Sequence, residues 1–145
     1  MKRIQEVLQK KKYKKIPFVI SKTQHLILKA RINGCKGVFI LDTGASNSCV
    51  GFESVEKFEL NATHSSTKAA GAGAVNMTTL LASDNLLQLG RWKATNFSFI
   101  VFDLTHVNQA LKQYKTKAVD GIIGADVLLE GKAIIDYHHQ YLYLL

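Results

Sequence analysis

The sequence predicts a mostly β fold, a barrel or sandwich with one or two short helices, and two observations support this. Apolar or alternating segments of strand length recur at intervals of about ten residues along most of the chain. Asn33-Gly34 stands between two such segments, and both residues tolerate the positive φ angles of a tight hairpin turn. The 145 residues contain no low-complexity linker and no internal repeat, so we expect one compact unit.

The elements follow from local patterns. The strand-like segments are 16–21, 25–32, 35–41, 48–50, 75–82, 85–90, 94–103, 132–137 and 140–145. Helical spacing of apolar residues predicts short helices over 3–12, 53–60 and 105–115, the last with Val107, Ala110, Leu111 and Tyr114 on one face. Residues 119–129 are expected to form a buried strand that runs into a short helix, and 68–75 a glycine-containing hairpin tip.

The net charge of +8 is concentrated at the N-terminus. Residues 1–15 carry seven Lys or Arg and one Glu, whereas 16–145 carry twelve basic and ten acidic residues. We therefore divide the chain into a basic arm, 1–21, expected to hold a helix and an edge strand, and a nearly balanced domain, 22–145. A basic arm can bind nucleic acid or simply keep a protein in solution, and the lack of a nucleic-acid motif favours the second interpretation.

Other chemistries find little support in the sequence. Two cysteines, Cys35 and Cys49, and five histidines show no metal-ligand spacing, so neither a metal nor an organic cofactor is expected. Apolar runs stay shorter than a membrane span, and no apolar segment of signal-peptide type follows the basic N-terminus. We therefore expect a cytoplasmic protein without a membrane span.

The stretch "FILDTGAS", residues 39–46, is the main candidate for chemistry. An apolar strand delivers Asp42, Thr43 offers a hydroxyl, and Gly44 permits a sharp turn with close approach of backbone or ligand. A carboxylate at the end of a buried strand is costly unless it is paired or hydrogen-bonded. This pattern is therefore typical of a carboxylate held still for use.

Asp42-Thr43-Gly44-Ala45-Ser46, following an apolar strand and an Asn-Gly hairpin, resembles the active-site loop of the retropepsin-like aspartic proteases, the family of the retroviral proteases and their cellular relatives. "GIIGAD", residues 121–126, is similar to the family's segment before the C-terminal helix, in which Ile122, Ile123 and Gly124 would support the catalytic loop. Gly71, Ala72, Gly73 and Ala74 stand where the family has its substrate-covering flap. The chain is longer than the best-known viral members, with insertions around 52–65 and 104–118.

The resemblance implies a single-lobe, closed β-barrel that works as a homodimeric aspartic endopeptidase. Asp42 would be catalytic, with Thr43, Gly44 and Ala45 as supports, and Asp42 of a second copy would supply the partner carboxylate. The chain has no second Asp-Thr-Gly, and Asp126 is expected to face solvent or a basic side chain. The substrate would be an extended polypeptide. Part of 1–21 or 140–145 is expected to interleave across the dimer.

Two alternatives remain at this level. The same fold could bind peptides without cutting them, if dimerisation were lost or the cleft blocked. The protein could instead associate with nucleic acid through its basic arm, and the affinity would then fall steeply with salt.

Overall fold

A computed structural model describes residues 3–64 and 79–145. Its helices are α1 (Ile4–Lys10), α2 (Thr105–Gln113) and α3 (Ala125–Glu130), with a 3₁₀ turn at Phe52–Ser54. Its strands are β1 (Lys14–Ile20), β2 (Leu26–Ile32), β3 (Cys35–Leu41), β4 (Cys49–Gly51), β5 (Ala62–His64), β6 (Leu80–Leu89), β7 (Trp92–Phe102), β8 (Gly121–Ile123), β9 (Ile134–Asp136) and β10 (Tyr141–Leu144). The predicted mostly β fold is confirmed. No described helix is long and apolar enough to cross a membrane.

Six strands close into a barrel. The order β6-β7-β4-β8-β3-β2 returns to its start because the end of β2 pairs with β6, at Arg31 with Gln88 and Ile32 with Leu87. Strands β3 and β8 run parallel, and β4 lies between β8 and β7. Closure leaves few free strand edges in the barrel itself.

Strands β1, β10 and β9 continue the sheet beyond β2. Strand β1 pairs with β2 through Phe18–Ile20 and with β10 through Lys14–Pro17, so it is not an edge strand. Strand β10 pairs with β1 on one side and with β9 on the other, within the same chain. Both edges of β10 are thus occupied within one chain, and the interleaving of part of 1–21 or 140–145 across a dimer stays a prediction.

The β2–β3 turn forms as predicted. Asn33 has φ 51° and Gly34 has φ 85°, the left-handed conformations of a two-residue hairpin. The Asn33 side chain has a further role, since it donates to the Phe58 carbonyl at 2.9 Å and accepts from the Leu86 N–H at 3.0 Å. It thereby ties this end of the hairpin to β6.

The apolar core has two parts, one inside the barrel and one outside it. Phe97, Phe99 and Val101 of β7 point into the interior cluster, as their alternation predicts. Ile100 and Phe102 are buried as well, because they pack in an outer cluster with Leu111 of α2 and Ile122 of β8. Alternation therefore breaks down at the end of β7, which is buried on both faces.

The helix predictions were partly correct. Helix α1 forms within 3–12 and buries Leu8, and α3 follows β8 as expected. In α2 only Leu111 is fully buried, and Ala110 and Tyr114, predicted on the same apolar face, are exposed. Residues 53–60 form a 3₁₀ turn and further turns, and no α-helix.

Candidate active site

Asp42 lies directly after β3, at one mouth of the barrel. Leu41 is buried and pairs with Ile123 of β8, and the Asp42 N–H donates to the Ile123 carbonyl at 2.9 Å. The apolar strand therefore fixes the backbone of Asp42 on the parallel neighbour. The residue is half-buried, so its carboxylate is held by the barrel and still faces outward.

The turn after Asp42 is closed by its own polar groups. The Gly44 N–H donates to Asp42 Oδ1 at 2.9 Å, and the Ala45 N–H donates to the Asp42 carbonyl at 3.2 Å. A Cβ on Gly44 would lie 3.3 Å from Oδ1, so glycine leaves this approach uncrowded. Among the described residues no donor binds the second carboxylate oxygen, Oδ2. One oxygen is oriented, and the other is available to a water or a second acid.

The start of α3 packs directly on this turn. The Ala125 N–H donates to the Ala45 carbonyl at 2.7 Å. A Cβ on Gly124 would meet that same carbonyl oxygen at 2.6 Å, which is closer than real Cβ contacts come. Ile123 is buried in the interior cluster and Ile122 in the outer one. The structure therefore brings Gly124 and Ile123 against the loop, with Ile122 on the opposite face of β8.

Ser48 and Asp126 form a second connection, which sequence reasoning missed. The buried Ser48 Oγ donates to Asp126 Oδ1 at 2.6 Å and accepts from the Gly124 N–H at 2.9 Å. The Ser48 N–H donates to Asp126 Oδ2 at 2.9 Å. Asp126 thus binds the chain that leaves the Asp42 loop, and the expectation that it faces solvent or a basic side chain was wrong. Its position two residues after Gly124 was the only hint, because its partner lies 78 residues away.

Cys49 lies beside the site but is chemically quiet. Burial raises the pKa of its thiol to about 12, and a backbone hydrogen bond at Ile122 opposes this rise. The negative charges of Asp126 and Asp42 raise the pKa further. A thiol in this state is not a nucleophile near neutral pH.

The other aspartates have separate roles in the described chain. Asp120 accepts from Ser54 Oγ at 2.7 Å and from the Val38 N–H at 2.9 Å, and it pairs with Lys57 at 3.0 Å. The Thr105 hydroxyl lowers the pKa of Asp103, and the His139 backbone N–H and ring lower that of Asp136. Asp84 is exposed in a β-bulge with φ 62°. Asp42 is the aspartate in the Asp-Thr-Gly turn, and within 3–64 and 79–145 the donor to its Oδ1 is the Gly44 N–H of that turn.

The predicted supports differ in exposure, and some lie beyond the described part. Thr43 and Gly44 are exposed and Ala45 is half-buried. Gly71, Ala72, Gly73 and Ala74, the predicted flap, lie outside the described residues. No group of three or more His, Cys, Asp or Glu that could hold a metal ion occurs within 3–64 and 79–145.

The geometry can be compared with solved structures. A retropepsin-like aspartic protease from Rickettsia conorii superposes with a TM-score of 0.63 at 19% identity, over 91% of this chain and 90% of that one. The retroviral protease-like domain of Ddi1 from Leishmania major gives 0.55 at 19% identity, over 89% and 87%. The EIAV protease in complex with the inhibitor HBY-793 gives 0.56 at 16% identity, over 81% and 98%.

Sequence comparison agrees with these structures. No curated protein sequence matches the chain. A family model described as aspartyl protease matches residues 28–127, which include Asp42 and the 121–126 segment. This match covers more than half of the 145 residues, and the structural neighbours share the closed barrel. The chain belongs to the aspartyl protease family and has the retropepsin-like fold.

Proposed function

We propose that this protein is an aspartic endopeptidase whose catalytic pair consists of Asp42 from each of two identical subunits. The observation that carries the proposal is the half-buried Asp42 carboxylate, with Oδ1 bonded to the Gly44 N–H at 2.9 Å and Oδ2 free of any described donor. Such a carboxylate is oriented on one side and open on the other. A two-fold axis through this point would place a second, identical carboxylate opposite the open side.

In this arrangement the two carboxyl groups share one proton, because like charges about 3 Å apart do not both ionise. The ionised group accepts a proton from a water, whose oxygen attacks the peptide carbonyl carbon. The protonated group donates to the carbonyl oxygen and gives a tetrahedral gem-diol. Collapse breaks the carbon–nitrogen bond, and a proton passes to the leaving amine. No metal or organic cofactor takes part.

The supporting residues receive roles from their positions. Gly44 and Ala45 orient the carboxylate through the turn that they close. Thr43 is exposed in the single chain, and we assign its hydroxyl to contacts across the two-fold axis. Ile123 and Gly124 support the loop directly, and Ile122 anchors β8 in the outer cluster. We retain 22–145 as the protease domain, 1–21 as its arm, and Gly71–Ala74 as the flap over an extended peptide bound by strand addition.

The first test compares the wild-type protein with Asp42→Asn in the digestion of an unfolded polypeptide mixture, across about pH 4 to 8, with products identified by mass spectrometry. We expect Asp42→Asn to lower cleavage by at least about a hundredfold, because it removes the general acid–base group. Asp84→Asn is the matched control, since it makes the same chemical change on an exposed bulge. Equal cleavage by the wild-type protein and Asp42→Asn would contradict the proposal.

The second test addresses the shared site. Wild-type and Asp42→Asn chains are unfolded together in equal amounts, refolded, and assayed, with the oligomeric state measured by sedimentation. If both subunits must supply Asp42, only wild-type homodimers cleave, and activity falls to about one quarter of that of an all-wild-type sample. Activity of about one half would show that each subunit works alone and would overturn the dimeric dyad.

A further inference from the structure

A row of cations crosses four neighbouring barrel strands at the end remote from Asp42. Lys36 of β3 lies directly opposite Arg31 of β2, Arg31 opposite Gln88 of β6, and Gln88 opposite Lys93 of β7. Directly paired residues share one face of a sheet, and the neighbours of this row, such as Ile32 and Trp92, point inward. Lys36, Arg31 and Lys93 are therefore exposed together on the outer face.

The row has no acidic partner in the described chain. The ion pairs there are Lys57 with Asp120 and His139 with Asp136, and neither includes a residue of the row. Residues 65–78 contain no Asp or Glu, so that segment has no carboxylate to offer. Arg31 and Lys36 face each other directly, and like charges in this position destabilise a sheet. An anionic partner bound at this surface would offset the repulsion between Arg31 and Lys36.

Two neighbouring cavities extend the same positive character. One, of about 390 Å³, is lined by Lys29, Arg31 and Lys36 together with Gln88, and by Lys57, whose charge is paired with Asp120. The other, of about 620 Å³, lies between α1 and the barrel and is lined by four cations, Lys12, Lys14, Lys15 and Arg91, and by one acidic residue, Glu6. Both cavities reach Gly90, at the turn between β6 and β7. The row therefore belongs to a continuous basic face at this end of the barrel, which we call the basic pole.

We propose that the basic pole binds the phosphodiester backbone of nucleic acid. Four adjacent strands spaced by about 4.8 Å make the row about 14 Å long, a distance over which one B-form strand presents about four phosphates. No aromatic side chain belongs to the row, so it offers no platform on which bases could stack. Phosphate contacts of this kind give affinity without sequence preference.

Other anionic partners fit this surface less well. A membrane-bound surface needs exposed apolar residues beside its cations. Exposed Val19 lines a neighbouring cavity together with Lys29 and Gly90, but Arg31, Lys36 and Lys93 do not line that cavity. An acidic peptide that adds as a strand needs a free strand edge. At the row, β3 and β7 each have one unpaired edge, because β8 pairs with β3 only at Phe39–Leu41 and β4 with β7 only at Ile100–Phe102. A strand added at either edge would run along the strands and meet only Lys36 or Lys93. A partner that contacts all three cations must cross the strands, which favours a polyphosphate backbone.

The basic pole is separate from the catalytic loop. Lys36 precedes Asp42 by six residues on the same extended strand, which is about 20 Å. This inference therefore does not rest on the proposed protease activity, and Asp42→Asn is expected to bind nucleic acid as the wild-type protein does.

The test measures fluorescence anisotropy of a labelled 20-base-pair DNA duplex of arbitrary sequence, titrated with the full chain between about 50 and 200 mM salt. The test variant is Arg31→Gln/Lys36→Gln/Lys93→Gln. The matched control is Lys112→Gln/Lys115→Gln/Lys117→Gln, which removes the same charge from exposed positions at the end of α2. At about 150 mM salt we expect the test variant to bind at least about tenfold more weakly, with a salt slope shallower by about two to three.

Every other result overturns the proposal. Unchanged affinity of the test variant would mean that the arm, and not the row, binds the DNA. Equal weakening by both variants would mean that the binding depends on net charge and not on the position of the cations. Absence of binding by the wild-type protein at about 50 mM salt would remove the proposal altogether. Tighter binding to vesicles containing phosphatidylserine than to the duplex, assayed in parallel, would identify a membrane surface in its place. Far-UV circular dichroism of both variants checks that they are folded.

Discussion

The two ends of strand β3 differ in how their charged and polar groups are partnered. At its C-terminal end, Asp42 Oδ1 is bonded by the Gly44 N–H, and Ser48 and Asp126 bind each other. At its N-terminal end, Lys36 faces Arg31 directly and neither cation has an ion-pair partner in the described chain. At the C-terminal end, polar groups bond to other groups of the same chain. At the N-terminal end, the two cations are left for a partner outside the described chain. Removing polar groups should therefore destabilise the first end and stabilise the second.

The largest contrast concerns the two cysteines, which lie near opposite ends. Cys35 begins β3 at the basic pole and is half-buried, whereas Cys49 is buried beside the catalytic loop with its pKa raised to about 12. Near pH 8 this rise lowers the thiolate fraction of Cys49 about a thousandfold relative to an ordinary thiol. In native protein treated with iodoacetamide we expect labelling at Cys35 only, read by mass spectrometry. Both should react in about 6 M guanidinium, and fast native labelling of Cys49 would contradict its burial.

Gly124→Ala tests the packing at the C-terminal end of β3, beside Asp42. The new Cβ would meet the Ala45 carbonyl oxygen at 2.6 Å, and this backbone has little room to move. We expect a loss of about 2–3 kcal/mol in the free energy of unfolding, measured by urea denaturation, together with loss of peptide cleavage. Gly51→Ala is the control, because the three atoms nearest to its Cβ would all belong to the Leu104 side chain, at 3.2 Å or more. Equal effects of the two changes would refute a specific role for the Gly124 contact.

Asp126→Ala tests the hydrogen bonds at the same end. It leaves the buried Ser48 hydroxyl and N–H without their acceptor. We expect a loss of about 2 kcal/mol in the free energy of unfolding, because buried donors without partners are costly. Asp84→Asn, on the exposed bulge where φ is 62°, should change stability by less than about 0.5 kcal/mol, because Asn tolerates this backbone conformation. A neutral Asp126→Ala would show that solvent replaces the carboxylate at Ser48.

Lys36→Gln should have the smallest effect on the free energy of unfolding, and that effect should be stabilising. Removing one of two directly opposed cations is expected to raise the free energy of unfolding by about 0.2–1 kcal/mol at low salt, and by less at high salt. Lys29→Gln is the matched control on the neighbouring strand, since Lys29 faces the neutral Val38. Destabilisation by Lys36→Gln but not by Lys29→Gln would mean that Lys36 has a stabilising partner after all, and would end the contrast between the two ends.

Much of the β2–β3 hairpin and the Asp42 turn could be predicted from the sequence, because the patterns that indicate them are local. The Asn33-Gly34 turn, the apolar strand, and the Asp-Thr-Gly-Ala turn after it each follow from residues next to one another in the chain. Gly124 could be predicted to pack on the loop through a resemblance to a known family. Its close approach to the Ala45 carbonyl leaves no room for a Cβ, and a glycine in the sequence can indicate such a close approach.

The remaining features depend on contacts between distant segments. Asp126 meets Ser48 only because β8 pairs with β4 and β3, and nothing near either residue indicates the other. Counting charges showed residues 16–145 to be nearly balanced, which concealed the basic pole. Lys36, Arg31 and Lys93 are scattered along the chain, and the register of four strands decides that they form one row. The sequence by itself determined most of the described strands and the Asp42 turn. Closure of the barrel decided which distant side chains meet, because strand register is a property of pairs of segments and not of either one.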